Sequence, residues 1–181
     1  MLVVRNASRD ELALASTIIL DAYHEFRPIF PPERWDTVYA RWGDVWSPLL
    51  HSEILVAVDN DRLLGVVIFY PNGSLSGQGE WPAGWAGMAR LAVRPEHRRQ
   101  GVGRALTEAC IHRCRQRAIA TLGLHTTEWM VAARAMYERL GFAREAAFDW
   151  QLPDTLAMGY RYDIGTVRAA IGEPRRRGLV P

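Results

Sequence analysis

Apolar residues follow two different rhythms along this chain. Leu12, Ala15, Ile18, Ile19 and Ala22 recur at three- and four-residue spacing, which predicts an amphipathic helix. Just before it, Ser8 and Glu11 stand three apart, as an N-cap and N3 pair would in a capping box. Val102, Leu106, Ala109 and Cys110 predict another helix running to about Arg117, and residues 131–140 a further one, with Gly141 as its C′ stop. Strand-like runs occupy 3–4, 54–58, 63–70, 88–93 and 121–126, and Asp59-Asn60-Asp61 reads as the turn of a hairpin between the second and third. Residues 142–152 and 158–164 read as a closing hairpin, and Arg175-Arg176-Arg177 as a fraying tail. From Tyr23 to Trp46 the chain is aromatic and broken by prolines, fit for short docking helices or a pocket wall. Residues 71–87, with four glycines before Gly87, read as loop. Helices alternating with strands, with no repeat and no linker, predict one α/β domain.

Composition narrows this further. At 181 residues and 49% hydrophobic, the chain suits one core and is too apolar for a disordered protein. No apolar run approaches the roughly 18–20 residues of a membrane-spanning helix, and the start turns charged too early for a signal peptide. Cys110 and Cys114, one helical turn apart, cannot form a disulfide framework and miss zinc-ligand spacing. A reducing, cytoplasmic setting is the resulting expectation, with no metal. All 22 basic residues are arginine, a skew that coding bias alone produces. The net charge of +2 is unevenly spread: residues 1–89 carry −5, residues 90–117 carry +6 and residues 118–181 carry +1.

The positive segment contains the most informative string, Leu91-Ala92-Val93-Arg94-Pro95-Glu96-His97-Arg98-Arg99-Gln100-Gly101-Val102-Gly103-Arg104. A strand there runs into a two-glycine turn at the start of a helix. Such a turn exposes backbone N–H groups at the positive end of a helix dipole, and glycine lets a diphosphate approach the main chain. The spacing fits neither the dinucleotide nor the Walker fingerprint. Steep electrostatic binding of nucleic acid through the arginines is a competing reading, and neither nucleic acid nor membrane is an expected partner.

Arg98-x-x-Gly101-x-Gly103, followed after another strand by Ala133-x-x-x-Tyr137-Glu138-Arg139-Leu140-Gly141-Phe142, resembles the GNAT superfamily of acyl-CoA-dependent N-acetyltransferases. The resemblance spans about residues 1–164 in element order and is sharpest over 88–142. It implies a domain over residues 1–166 followed by a tail over 167–181. It also implies a mixed, mostly antiparallel twisted sheet of about six or seven strands flanked by helices.

For the site, it implies that the main chain of Leu91, Ala92 and Val93 pairs with the pantetheine arm of acetyl-CoA, and that an N–H near Val93 polarises the thioester carbonyl. Arg98, Arg99, Gln100, Gly101, Val102, Gly103 and Arg104 would bind the pyrophosphate, and Tyr137 would protonate the departing thiolate. A primary amine, on a small molecule or a peptide, would attack acetyl-CoA directly; homodimers are common in the superfamily. Two departures stand out: Met130 replaces a frequent Asn, and Met88-Ala89-Arg90-Leu91 lacks the Glu that often serves as base. His125 and Glu128 flank the next strand end, and His125 is a candidate base. Glu25, Asp44 and Glu80 are candidate contacts for a cationic amine. A non-catalytic acyl-CoA-binding module of the same fold is the alternative.

Overall fold

The computed structural model describes residues 1–153 and 155–165. The chain starts with β1 (Val3–Asn6), a 3₁₀ turn and α1 (Leu12–Tyr23). The capping pair forms as expected: the Glu11 carboxylate accepts the Ser8 N–H at 2.8 Å, although the first turn it closes is 3₁₀. The aromatic stretch becomes a 3₁₀ segment, His24–Ile29, and α2 (Pro32–Gly43).

Strands β2 (Glu53–Asp59) and β3 (Arg62–Tyr70) form the expected hairpin, closed by Asn60 and Asp61, both at positive φ. β4 (Trp85–Val93) begins three residues earlier than its apolar run suggests, because Trp85 and Ala86 pair with the next strand. There follow α3 (Val102–Gln116), β5 (Thr121–Thr126) and α4 (Val131–Leu140). Gly141 lies at φ +99° and ends α4 as expected, with Phe142 N–H donating to Tyr137 C=O at 3.0 Å. The closing segment departs from a simple hairpin. Only β6 (Ala143–Arg144) and β7 (Trp150–Gln151) are extended, a 3₁₀ turn separates them, and both pair with β8 (Leu156–Asp163). The tail expected over 167–181 lies outside the described residues.

The sheet order is β1-β2-β3-β4-β5-β8-β6, antiparallel throughout except for the parallel pair β4–β5. It is therefore a mixed α/β domain with one open sheet, as anticipated. Both sheet faces are covered, which is why β2 and β3 are apolar at nearly every position. Ile54, Val56, Val66 and Ile68 face the α1 cluster, while Leu55, Ala57, Val67 and Phe69 face the α3 cluster. Gly65 lets α3 sit close, since a Cβ there would lie 2.8 Å from the Ala92 carbonyl oxygen and 3.0 Å from Val102. Cys110 and Cys114 are buried in the α3 cluster.

Candidate active site

The sheet is paired across its centre along only part of its length. Residues Trp85–Met88 of β4 pair with Thr121–Leu124 of β5, and beyond them the two strands part. β5 goes on to pair with β8 through His125 and Thr126, and β4 stays with β3. The divergence is helped by a bulge. Val66 opposes Ala92 while Ile68 opposes Ala89, so β4 carries an extra residue, and Arg90 within it lies at φ +52°. A groove of about 1960 Å³ occupies the opening, lined by β4, the start of α3, α4 and the segments around α2.

One end of the groove is the two-glycine turn. Arg99 lies at φ +60° and Gly101 at φ +84°, with α3 starting at Val102. The first N–H groups of α3 have no partner one turn earlier, so free donors and the positive end of the helix dipole lie at this end of the groove. No atom lies within 4 Å of where a Gly101 Cβ would be, whereas a Gly103 Cβ would touch Met136 Sδ at 3.4 Å. Leu91, Ala92, Val93, Arg98, Arg99, Gln100, Gly101, Val102, Gly103 and Arg104 all line this groove, so the residues expected to hold acetyl-CoA are brought together. Their side chains differ in commitment. Arg98 donates to Glu25 at 2.9 Å and to the Ala22 carbonyl at 3.0 Å, tying the turn to α1. Arg104 pairs with Glu108 at 2.8 Å along α3. Arg99 is exposed and forms no hydrogen bond or ion pair among the described residues.

Tyr137 faces the groove from α4, with its ring 5.5 Å from that of Phe142. It is 5% exposed, and burial pushes its phenol well above the usual range, so it is protonated at neutral pH. Its hydroxyl donates to no group among the described residues. Tyr23 stands close by, its hydroxyl donating to the Leu91 carbonyl at 3.2 Å.

His125 lies among Trp81, Trp150 and the Phe148 carbonyl, which its Nε2 approaches at 2.7 Å. A carbonyl only accepts, so Nε2 carries the proton and Nδ1 is a bare acceptor, buried without a partner. Burial holds the imidazole pKa below its ordinary value.

The acids expected to meet an amine are placed otherwise. Glu25 lines the groove but is held by Arg98, and Asp44 accepts the Trp46 and Ser47 N–H groups at 3.1 and 3.0 Å. Neither Asp44 nor Glu80 lines the groove, and neither does Glu128. Sequence reasoning missed Trp129, whose ring packs 4.5 Å from Phe26 and joins the β5–α4 loop to the 3₁₀ segment. It also missed Arg90, because a bulge leaves no mark in hydrophobic periodicity, and Arg41, which α2 brings to the groove from a distant part of the sequence. Among the described residues, no three His, Cys, Asp or Glu side chains cluster as metal ligands, and no helix is long and apolar enough to cross a membrane.

Beside this diverging β4–β5 pair and glycine turn, the sequence of residues 18–142 matches the profile of the Acetyltransferase (GNAT) family. The chain belongs to the GNAT acetyltransferase family. This acetyltransferase is similar to the [ribosomal protein bS18]-alanine N-acetyltransferase of Escherichia coli K12, at 46% identity over 57 residues, 32% of this chain and 38% of that protein. It is also similar to N-alpha-acetyltransferase 30 of Schizosaccharomyces pombe, at 37% over 89 residues, 49% of this chain and 56% of that protein. The matches thus span about two-fifths to just over half the length of these relatives. Among solved structures, PaiA N-acetyltransferase from Thermoplasma acidophilum in complex with coenzyme A superposes with a TM-score of 0.70 at 14% identity. That superposition covers 90% of this chain and 99% of the other. The E. coli ribosomal-protein-S18-alanine N-acetyltransferase gives 0.63 at 23% identity, over 92% and 96%.

Proposed function

We propose that this acetyltransferase moves the acetyl group of acetyl-CoA to a primary amine by direct attack, with Tyr137 as general acid. The observation that carries the reading is a protonated, unpartnered tyrosine facing the strand stretch that β5 leaves unpaired. The main chain of Leu91–Val93 receives the pantetheine arm as a further strand would, and the amides from Gly101 onward receive the pyrophosphate. The amine nitrogen forms a bond to the acetyl carbon, and the carbon–sulfur bond breaks. Charge building on the carbonyl oxygen is met by a main-chain N–H of β4, an interaction worth about 3–4 kcal/mol when preset. The departing sulfur takes the Tyr137 hydroxyl proton, and the phenolate recovers one from the proton the amine releases. Holding both reactants in one groove removes much of the entropic barrier.

Tyr137→Phe tests this reading. The hydroxyl makes no hydrogen bond among the described residues, so the variant folds and binds acetyl-CoA as the parent does. General acid catalysis contributes about 10²–10⁴-fold, and kcat falls by that order in a CoA-release assay against an amine that the parent acetylates. Unchanged turnover removes Tyr137 as the acid. A parent that binds acetyl-CoA yet acetylates no amine supports the alternative, a non-catalytic acyl-CoA-binding module.

A further inference from the structure

Two arginines of the groove, Arg90 and Arg41, form no ion pair with any carboxylate among the described residues. Arg90 is half-buried, and its side chain's one hydrogen bond among the described residues goes to the Asp44 main-chain carbonyl, which leaves four of its five donors. The Asp44 carboxylate accepts the amides of its own turn and forms no ion pair with Arg90, although it is near enough to favour the Arg90 charge. Arg41 lines the same groove from α2, close enough to raise the cost of the Arg90 charge, and makes no ion pair or hydrogen bond among the described residues. The described carboxylates of the groove lie elsewhere: Glu25 is held by Arg98, and Glu96 sits beside the phosphate turn. Two guanidiniums of like sign facing one partly dry space are stabilised by an anion between them.

Resting on the acetyltransferase reading above, we propose that Arg90 and Arg41 form the anion subsite of the acceptor, and that the acceptor is a free amino acid with a bulky apolar or aromatic side chain. Three placements meet in that class of molecule. Arg90 directly precedes Leu91, whose main chain borders the reacting thioester, so an anion on Arg90 lies only a few atoms from the attacking nitrogen. Next to Arg41, Trp42 packs 5.1 Å from Tyr23 and 5.4 Å from Phe30, which provides an aromatic wall on the same helix as the charge. An α-amino acid carries amine, carboxylate and side chain on one carbon. A peptide N-terminus carries a neutral amide where the carboxylate would be and leaves both guanidiniums unmatched. A polyamine is repelled by them.

The test compares phenylalanine, phenylalaninamide and phenethylamine as acceptors with acetyl-CoA, following CoA release and confirming products by mass. Hydrogen bonds to charged groups predict kcat/KM for the acid at least about 10-fold above that for the amide. This acid-to-amide ratio collapses towards one in both Arg41→Gln and Arg90→Gln. Arg41 is exposed, so its variant folds even if loss of the Arg90–Asp44 contact disturbs the loop after α2. Equal use of amide and acid by the parent overturns the assignment, as does a ratio unmoved in Arg41→Gln and in folded Arg90→Gln. If all three compounds are refused while other amines are acetylated, the assignment falls and the acetyltransferase reading stands. If no amine at all is acetylated, the reading beneath it falls as well.

Discussion

Gly101 and Gly103 stand two residues apart in one turn, yet the same substitution has opposite consequences at the two positions. Gly101 lies at φ +84° and ψ −3°, a left-handed conformation that costs an L-residue about 1–2 kcal/mol. The space around it is open, so the whole cost of Gly101→Ala is backbone strain. For a chain of this size 1 kcal/mol corresponds to about 2–4 °C in Tm, which places the fall at about 2–8 °C. Gly103 is helical. A Cβ there meets Met136, Val93 and Leu91 at 3.4, 3.6 and 3.9 Å, contacts of ordinary or slightly tight length. Replacing a helix-interior glycine by alanine gains about 0.5–1 kcal/mol, so Gly103→Ala raises Tm by a few degrees at most. Ligand binding separates the two further. Relief of strain at Gly101 rotates the peptide plane next to the first α3 amides, and each charge-assisted hydrogen bond lost is worth about 1.5–3 kcal/mol. CoA affinity of Gly101→Ala therefore falls by about 10- to 100-fold, while that of Gly103→Ala changes little. Thermal melts with and without CoA, together with titration calorimetry, read both quantities. The reasoning fails if Gly101→Ala melts and binds like the parent, or if both variants lose the same stability.

Two further outcomes follow from burial. Burial depresses the His125 pKa in the fold, while the unfolded chain takes up a proton near pH 6.5. The stabilising contribution of the neutral ring is thus complete above pH 6.5 and is lost as pH falls below it, with a slope of at most about 1.4 kcal/mol per pH unit. Urea unfolding of His125→Asn between pH 7 and 5 shows a shallower loss than the parent, and parallel curves for the two proteins refute the assignment. Burial also raises both thiols, that of Cys114 to about 12 and that of Cys110 further. DTNB added to the native protein therefore registers almost no thiol and two on denaturation, so CoA release is measured without background; rapid reaction of the folded protein would contradict this placement.

Charge shows most clearly where sequence reading works and where it stops. The apolar runs of β2 and β3, the three- and four-residue spacing of α1 and α3, and the C′ role of Gly141 are local properties, and each appears in the fold where the pattern put it. The glycine turn was legible for the same reason, since its conformation depends on neighbours in sequence. The +6 of residues 90–117 suggested a cationic surface built for phosphates, and here the fold redistributes the charge. Arg113 and Arg117 both pair with Glu53, and Arg98 pairs with Glu25, so acids from the negative N-terminal half neutralise much of the segment. Arg94 donates to the Leu63 carbonyl, and Arg104 pairs within its own helix. These partners lie up to 73 residues away, a separation at which spacing rules carry no information. What remains at the turn is Arg99 and the α3 amides, so under the proposed reading phosphate would meet main-chain donors more than arginines. Arginines of the groove without an ion pair among the described residues also include Arg90 and Arg41. A bulge brings Arg90 there, and with it the specificity question moves from the acetyl donor to the acceptor.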